Sequence, residues 1–191
     1  MPGNLALGQP RLLTVDEFEK IVVSKILLDS QRVELIEGHL ISRPLASEME
    51  TACIQRLDHA LGDATASRVL TSVHDPVRLS HSQLQPDLAW LKPRADNYFG
   101  GHPTARDVLL VVEVADTSAH HDRRVKIPLY GQDGIAEAWL IDLAAGVIET
   151  YRQPSQSGYG EKRTYAPGDS LAPTALPDIV LTVAEILGAA L

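Results

Sequence analysis

Cysteine is almost absent: Cys53 stands alone among 191 residues. One thiol can close no disulfide within the chain and build no cysteine-based zinc cluster, so stability is expected from a packed core and the expected compartment is the cytoplasm. Long apolar runs are lacking as well. The longest, Val108 to Val112, stops at Glu113, far short of the roughly 20 residues that a membrane-spanning helix needs. Met1 to Pro10 has no basic stretch leading into an apolar one, so a secretory leader is not expected, and this segment reads as a flexible tail. Positive charge is scarce too, with 17 Lys and Arg against 25 Asp and Glu and a net charge of −8. That balance weighs against a tight nucleic-acid binder, because such affinity comes largely from neutralised phosphates. Two short clusters could still form a local basic patch: Arg123, Arg124 and Lys126, and Lys162 with Arg163. No glycine-rich phosphate loop is present, and Ser118 lacks the setting of a nucleophile elbow.

What is present is ordinary for a globular protein: 45% apolar and 22% charged residues, in a length that suits one domain over 1–191. Thr14 with Glu17 three positions on predicts a capped helix over Thr14 to Val23, with Leu13 and Phe18 as its hydrophobic staple. Two apolar runs flanking Glu37-Gly38 predict a hairpin over Val33 to Ile41. A second helix is expected over Ser47 to Gly62, with Met49, Cys53, Leu57, Ala60 and Leu61 on one face and Gly62 as its C-cap. Strands are expected at Val69 to Val73, Val77 to Leu79, Leu84 to Leu91, Val108 to Val114 and Ala136 to Leu143. Val147 to Tyr151 is expected to pair with the last of these across Ala144-Ala145-Gly146, and Lys162 to Ala166 and Ile179 to Leu181 are expected as further short strands. Lys92 to Arg106 and Pro154 to Gly160 read as loops, Asp122 to Gln132 as a helix kinked at Pro128, and Thr182 with Glu185 as the cap of a last short helix. The strand–helix–strand order at the centre implies an α/β fold, a central mixed sheet flanked by helices.

Three residues break this pattern. Glu113 interrupts the strongest strand near its C-terminal end, where a buried carboxylate is costly unless it is paired or holds a metal. Asp87 follows Pro86 at the head of an apolar run, a place where a turn aspartate would be unremarkable. Lys126 shares one helical face with Asp122 and Tyr130, which alone would read as a surface ion pair. Together they make an ordered set of two carboxylates and a lysine. Carboxylate oxygens suit Mg²⁺ or Mn²⁺, and a lysine nearby can orient a water or meet developing charge, which is the chemistry of phosphodiester hydrolysis. Glu34, between Val33 and Leu35, reads equally as a further ligand and as part of a solvated strand face. His120 and His121 read as exposed loop, Cys53 as core, and Trp90 and Trp139 as core rather than base-stacking platforms.

The chain resembles the Uma-two family, a bacterial group described as restriction-endonuclease-like. The resemblance runs from about Leu13 to Leu187. It is carried by Val33-Glu34-Leu35-Ile36-Glu37-Gly38, Gln85-Pro86-Asp87-Leu88-Ala89, Val111 to Ser118 continuing through Asp122 and Lys126 to Tyr130, and Gly134 to Asp142. It implies the PD-(D/E)XK nuclease fold, with Asp87 and Glu113 as metal ligands and Glu34 as a further one. The usual motif has its lysine two residues after the second acid. Alanine holds that place here, at Ala115, which points to Lys126 on the next helix, with Asp122 and Tyr130 as its neighbours behind the ligands. The expected function is therefore a metal-dependent endonuclease acting on DNA, with a homodimer as the natural arrangement for cutting a duplex. The alternative is a nuclease-fold binding or regulatory module without catalysis. A basic rim around Asp87 and Glu113 would favour the nuclease, and an acidic rim the module or a small substrate.

Overall fold

The computed structural model describes residues 10–27, 32–65 and 68–188, so the tail expected over Met1 to Pro10 lies outside it except for Pro10. Helix α1 (Val15–Val23) begins as expected. Thr14 accepts from the Glu17 amide, and the Glu17 carboxylate accepts from the Thr14 amide. Leu13 and Phe18 pack with Val15 and Leu35 in a small cluster. Strands β1 (Val33–Ile36) and β2 (His39–Ser42) form the hairpin. Its turn residues Glu37 and Gly38 have φ of 47° and 83°, the pair of left-handed conformations that a two-residue hairpin turn demands. A Cβ on Gly38 would also meet Leu12 Cβ at 2.6 Å.

Helix α2 (Glu48–Thr65) runs past Gly62, which is not its C-cap, and Thr65 closes it by bonding the Leu61 carbonyl. Its buried stripe is Cys53, Ile54, Leu57 and Leu61, while Met49, one turn earlier, is exposed. Next come β3 (Leu70–Val73), β4 (Val77–Arg78), β5 (Gln83–Leu84) and β6 (Leu88–Leu91). The single strand expected over Leu84 to Leu91 is thus two. Pro86 cannot donate to a ladder, and the chain leaves one sheet at Leu84 and enters another at Leu88.

Strand β7 (Val108–Ala115) follows a 3-10 turn at Ala105–Asp107. The helix expected over Asp122 to Gln132 is also two, α3 (Ala119–Arg124) and α4 (Lys126–Gln132). Pro128 has no N–H to bond the Arg124 carbonyl and its ring needs that carbonyl moved aside, so the helix breaks at Val125 rather than merely bending. The rest is β8 (Glu137–Asp142), β9 (Val147–Ser155), β10 (Gly158–Tyr165), β11 (Ser170–Leu171), β12 (Leu181–Thr182) and α5 (Val183–Leu187), the last with the Thr182–Glu185 capping box. The loop expected at Pro154 to Gly160 is instead the end of the β9–β10 hairpin. Pro154 is tolerated because β8 pairs with β9 only as far as Arg152, leaving a two-stranded ribbon beyond.

The main sheet has the order β10-β9-β8-β7-β6-β3, with β7 and β8 parallel and its other neighbours antiparallel. A second sheet has the order β2-β1-β5-β4. Side chains alternate across β7 as the pleat requires. Leu110, Val112 and Val114 pack with α2 and α5 on one face, while Val111 and Ala115 join Ile127 and Tyr130 of α4 on the other. This is the mixed sheet flanked by helices expected from the sequence. Among the described residues no helix is long and apolar enough to cross a membrane.

Candidate functional site

The same alternation places the two strand-borne acids. Glu113 shares its face of β7 with Val111 and Ala115, toward α4. The β6–β7 register pairs Leu88 with Val112 and Ala89 with Val111, and one step further along that register brings Asp87 beside Glu113. The Val114 amide donates to Asp87 Oδ2 at 2.8 Å and ties the two strands together there. The break at Pro86 lets the second sheet reach the same point. Glu34 of β1 accepts from the Gln85 amide at 2.7 Å. With 1% of its surface exposed, Glu34 belongs to a buried face and not a solvated one. The break at Val125 sets Lys126 at the head of α4, pointing into the acids.

Lys126 Nζ lies 3.0 and 3.1 Å from the two Glu113 oxygens and 3.1 Å from Glu34 Oε1. Tyr130, one turn on, donates to Glu113 Oε1 at 2.5 Å. Asp122 accepts from the Ser118 hydroxyl at 2.6 Å. The six residues singled out from the sequence therefore gather at one place, with Asp87 and Glu113 on the same side of the sheet. Two further residues belong to it that no pattern announced. Arg43, just past β2, bonds the Gln85 carbonyl and reaches Asp87 Oδ1 at 3.2 Å, Glu34 at 3.8 Å and Glu113 at 4.0 Å. His74, held at φ 58°, sets Nε2 at 3.4 Å from Asp87 Oδ1.

Burial and charge oppose each other throughout. Burial pushes the Glu113 carboxyl up to about 8, against the pull of Lys126 and Arg43. Burial also raises Asp122. Asp87 ends below the ordinary carboxylate range, because the His74 ring, Arg43 and Lys126 outweigh its burial. Burial would lower the Lys126 ammonium, but Glu113 and Glu34 raise it. Burial and the adjacent Glu113 hold the Tyr130 phenol well above its usual value, so it stays a donor.

The cluster forms the floor of a cavity of about 370 Å³. Glu34, Asp87, Asp122, Lys126 and Arg43 line it, and Glu113 lies one layer behind, fully buried. Ile41, Pro44 and Leu45 make an apolar lip, and Glu50 and Asp116 add acids. Glu50 accepts from the Ser47 and Asp116 amides and so fastens the start of α2 to the chain after β7. The mouth is acidic. Of the residues that could have made a local basic patch, Arg123 is tied to Glu149 and Asp142, Lys162 to Glu149 and Arg163 to Glu161, Lys126 is buried among carboxylates, and Arg124 is exposed. His120 and His121 are exposed, as expected, though on α3 rather than in a loop.

The donor chemistry suits a hard divalent cation, since the converging groups are carboxylate oxygens. As they stand, no three Asp, Glu, His or Cys side chains among the described residues enclose a metal-sized point. Lys126 and Arg43 are paired with these acids instead: Lys126 with Glu34 and Glu113, and Arg43 with Glu34, Asp87 and Glu113. What fits a divalent cation here is the chemistry of the donor set, three converging carboxylates from Glu34, Asp87 and Glu113.

Comparison with known proteins bears on the family and the fold. A family model described as "Uma2: Putative restriction endonuclease" matches residues 15–184. A crystal structure described as a putative nuclease belonging to DUF820, from Anabaena variabilis ATCC 29413, superposes with a TM-score of 0.72 at 17% identity, covering 92% of this chain and 97% of that one. Among curated proteins nothing matches.

Proposed function

The chain belongs to the Uma2 family, and on that premise we propose that it is a divalent-metal-dependent nuclease that hydrolyses DNA phosphodiesters in the Asp87–Glu113 cavity. One observation carries the reading: at the floor of an open cavity Glu34 and Glu113, from two sheets, share Lys126, and Arg43 reaches both of them and Asp87. Asp87, Glu113 and Glu34 would hold Mg²⁺ or Mn²⁺. Such an ion acidifies a bound water and offsets phosphate charge. Lys126, pinned by Glu113 and Glu34, presents its ammonium toward the attacking water or the charge that develops on the phosphate. Tyr130 fixes the Glu113 rotamer from behind, and Asp122 stands beside Lys126 at the cavity wall. Cleavage of both strands calls for two such sites, so a twofold homodimer is part of the reading.

The test joins binding to reaction. Mg²⁺ and Mn²⁺ are titrated calorimetrically into the wild type and into Asp87→Ala/Glu113→Ala, and both proteins are incubated with supercoiled plasmid. Saturable binding and nicking by the wild type, both lost in the double variant, is the expected result. The acidic mouth made by Glu50 and Asp116 favours a second reading, a nuclease-fold module without catalysis. Metal binding with no cleavage of plasmid or oligonucleotide would select it, and no saturable binding at all would remove the metal from either account.

A further inference from the structure

Of the two cations in the cluster, only one has a way out. Lys126 is on a helix with 2% of its side chain exposed, and it is held by Glu113 and Glu34. Arg43 is 18% exposed, lines the cavity, and sits in the irregular stretch between β2 and α2. Its guanidinium is fixed by the carboxylates and by one carbonyl, that of Gln85. It is also the group that reaches all three acids. Competition for the same oxygens then decides. A divalent ion entering among Glu34, Asp87 and Glu113 takes the carboxylate oxygens that Arg43 holds, and at that range its charge repels the guanidinium. Without the ion, Arg43 is what keeps Asp87 from facing Glu34 and Glu113 as an unscreened anion in a buried site.

We infer that Arg43 is a displaceable counter-ion for the divalent cation: it holds Glu34, Asp87 and Glu113 together while the site is metal-free and swings into the cavity mouth when the ion enters. This rests on the metal-binding reading above. Once outside, the guanidinium stands at the cavity mouth, where a phosphate would approach, and its planar fork suits a phosphodiester.

The test is calorimetric titration of Mn²⁺ into the metal-free wild type, Arg43→Gln and Arg43→Lys, with thermal unfolding of each in EDTA and in Mn²⁺. Arg43→Gln can keep the bond to the Gln85 carbonyl and loses the charge. It is expected to bind Mn²⁺ at least about tenfold more tightly, since a charge-assisted competitor is gone. It is also expected to melt below the wild type in EDTA and to recover in Mn²⁺. Arg43→Lys, which keeps the charge without the fork, is expected to fall between the two, and it carries the comparison if Arg43→Gln does not fold without metal. Equal or weaker Mn²⁺ binding by these variants, with binding by the wild type intact, would overturn the counter-ion role and leave the metal site standing. Absence of binding in every protein would overturn both.

Discussion

At the scale of single residues, the site is a set of buried charges that stabilise one another, and removing one member exposes the cost. Lys126 is the cation that Glu113 and Glu34 share at the floor of the cavity. Lys126→Met, close in volume, leaves those carboxylates facing each other in a buried place and is expected to cost about 3–5 kcal/mol in urea unfolding. Tyr130→Phe deletes one hydrogen bond to Glu113 and keeps the packing, so a smaller loss of about 1.5–3 kcal/mol is expected. If the lysine variant proved the milder of the two, the shared-cation account would be wrong. Cys53 makes a contrast. It is fully buried, and burial pushes its thiol up to about 11. The raised value keeps it protonated at pH 8, with a thiolate fraction on the order of 10⁻³. The native protein is therefore expected to resist a thiol-specific reagent at pH 8 and to react at once in denaturant. Glu113 was legible in the sequence because a carboxylate in an apolar strand is an anomaly, whereas Asp87 alone read as an ordinary turn residue and stood out only as part of the ordered set of two acids and a lysine. Arg43 and His74 were not, since one polar residue in an irregular stretch or at a strand end violates no periodicity, and only the crossing of two sheets brings them to the acids.

At the scale of elements, two prolines set the geometry. Pro86 divides what reads as one strand and sends the chain from the second sheet into the main one, and Pro128 divides what reads as one helix so that Lys126 begins a new axis. Both prolines were plain in the sequence, but the degree of interruption was not, because local preference does not say whether a ladder resumes with the same partner. The β9–β10 ribbon, hidden by Pro154 and its polar turn, shows the same limit. Its turn has a second role. Gly131 of α4 lies so close to Gly158 that a Cβ on Gly131 would come within 2.5 Å of the Gly158 carbonyl carbon. This contact of backbone on backbone fixes α4, and with it Lys126 and Tyr130, against the sheet. Gly131→Ala is expected to destabilise the protein by about 1–3 kcal/mol and to weaken Mn²⁺ affinity. Gly134→Ala, in the chain just after α4, meets nothing within 4 Å. Its cost is confined to the left-handed φ of 85°, so Mn²⁺ affinity there is expected to stay unchanged. Equal effects on metal binding at the two positions would argue against the seating of α4 as the cause.

At the scale of the whole molecule, the difficulty is charge. A chain of net charge −8 with an acidic cavity repels the polyanion assigned to it. A bound divalent ion changes the sign of the floor, and an expelled Arg43 adds a positive group at the mouth, so DNA affinity is expected to be conditional on metal. Calcium tests this without requiring turnover. In EDTA, a labelled duplex should show no retained complex by mobility shift, and in millimolar Ca²⁺ a complex should appear. Asp87→Ala/Glu113→Ala should lose that dependence, which separates a filled site from general screening by the salt. The salt response should be shallow. With about two or three phosphates neutralised, affinity should fall roughly ten- to fortyfold between 50 and 200 mM salt, against the ~10³-fold or greater loss of a protein making many phosphate contacts. A steep response would mean that a basic surface dominates, in conflict with the paired Arg123, Lys162 and Arg163. Retention in EDTA equal to that in Ca²⁺ would remove the metal from recognition, and no retention under any condition would move the assignment from DNA to a smaller substrate or to a module that cuts nothing.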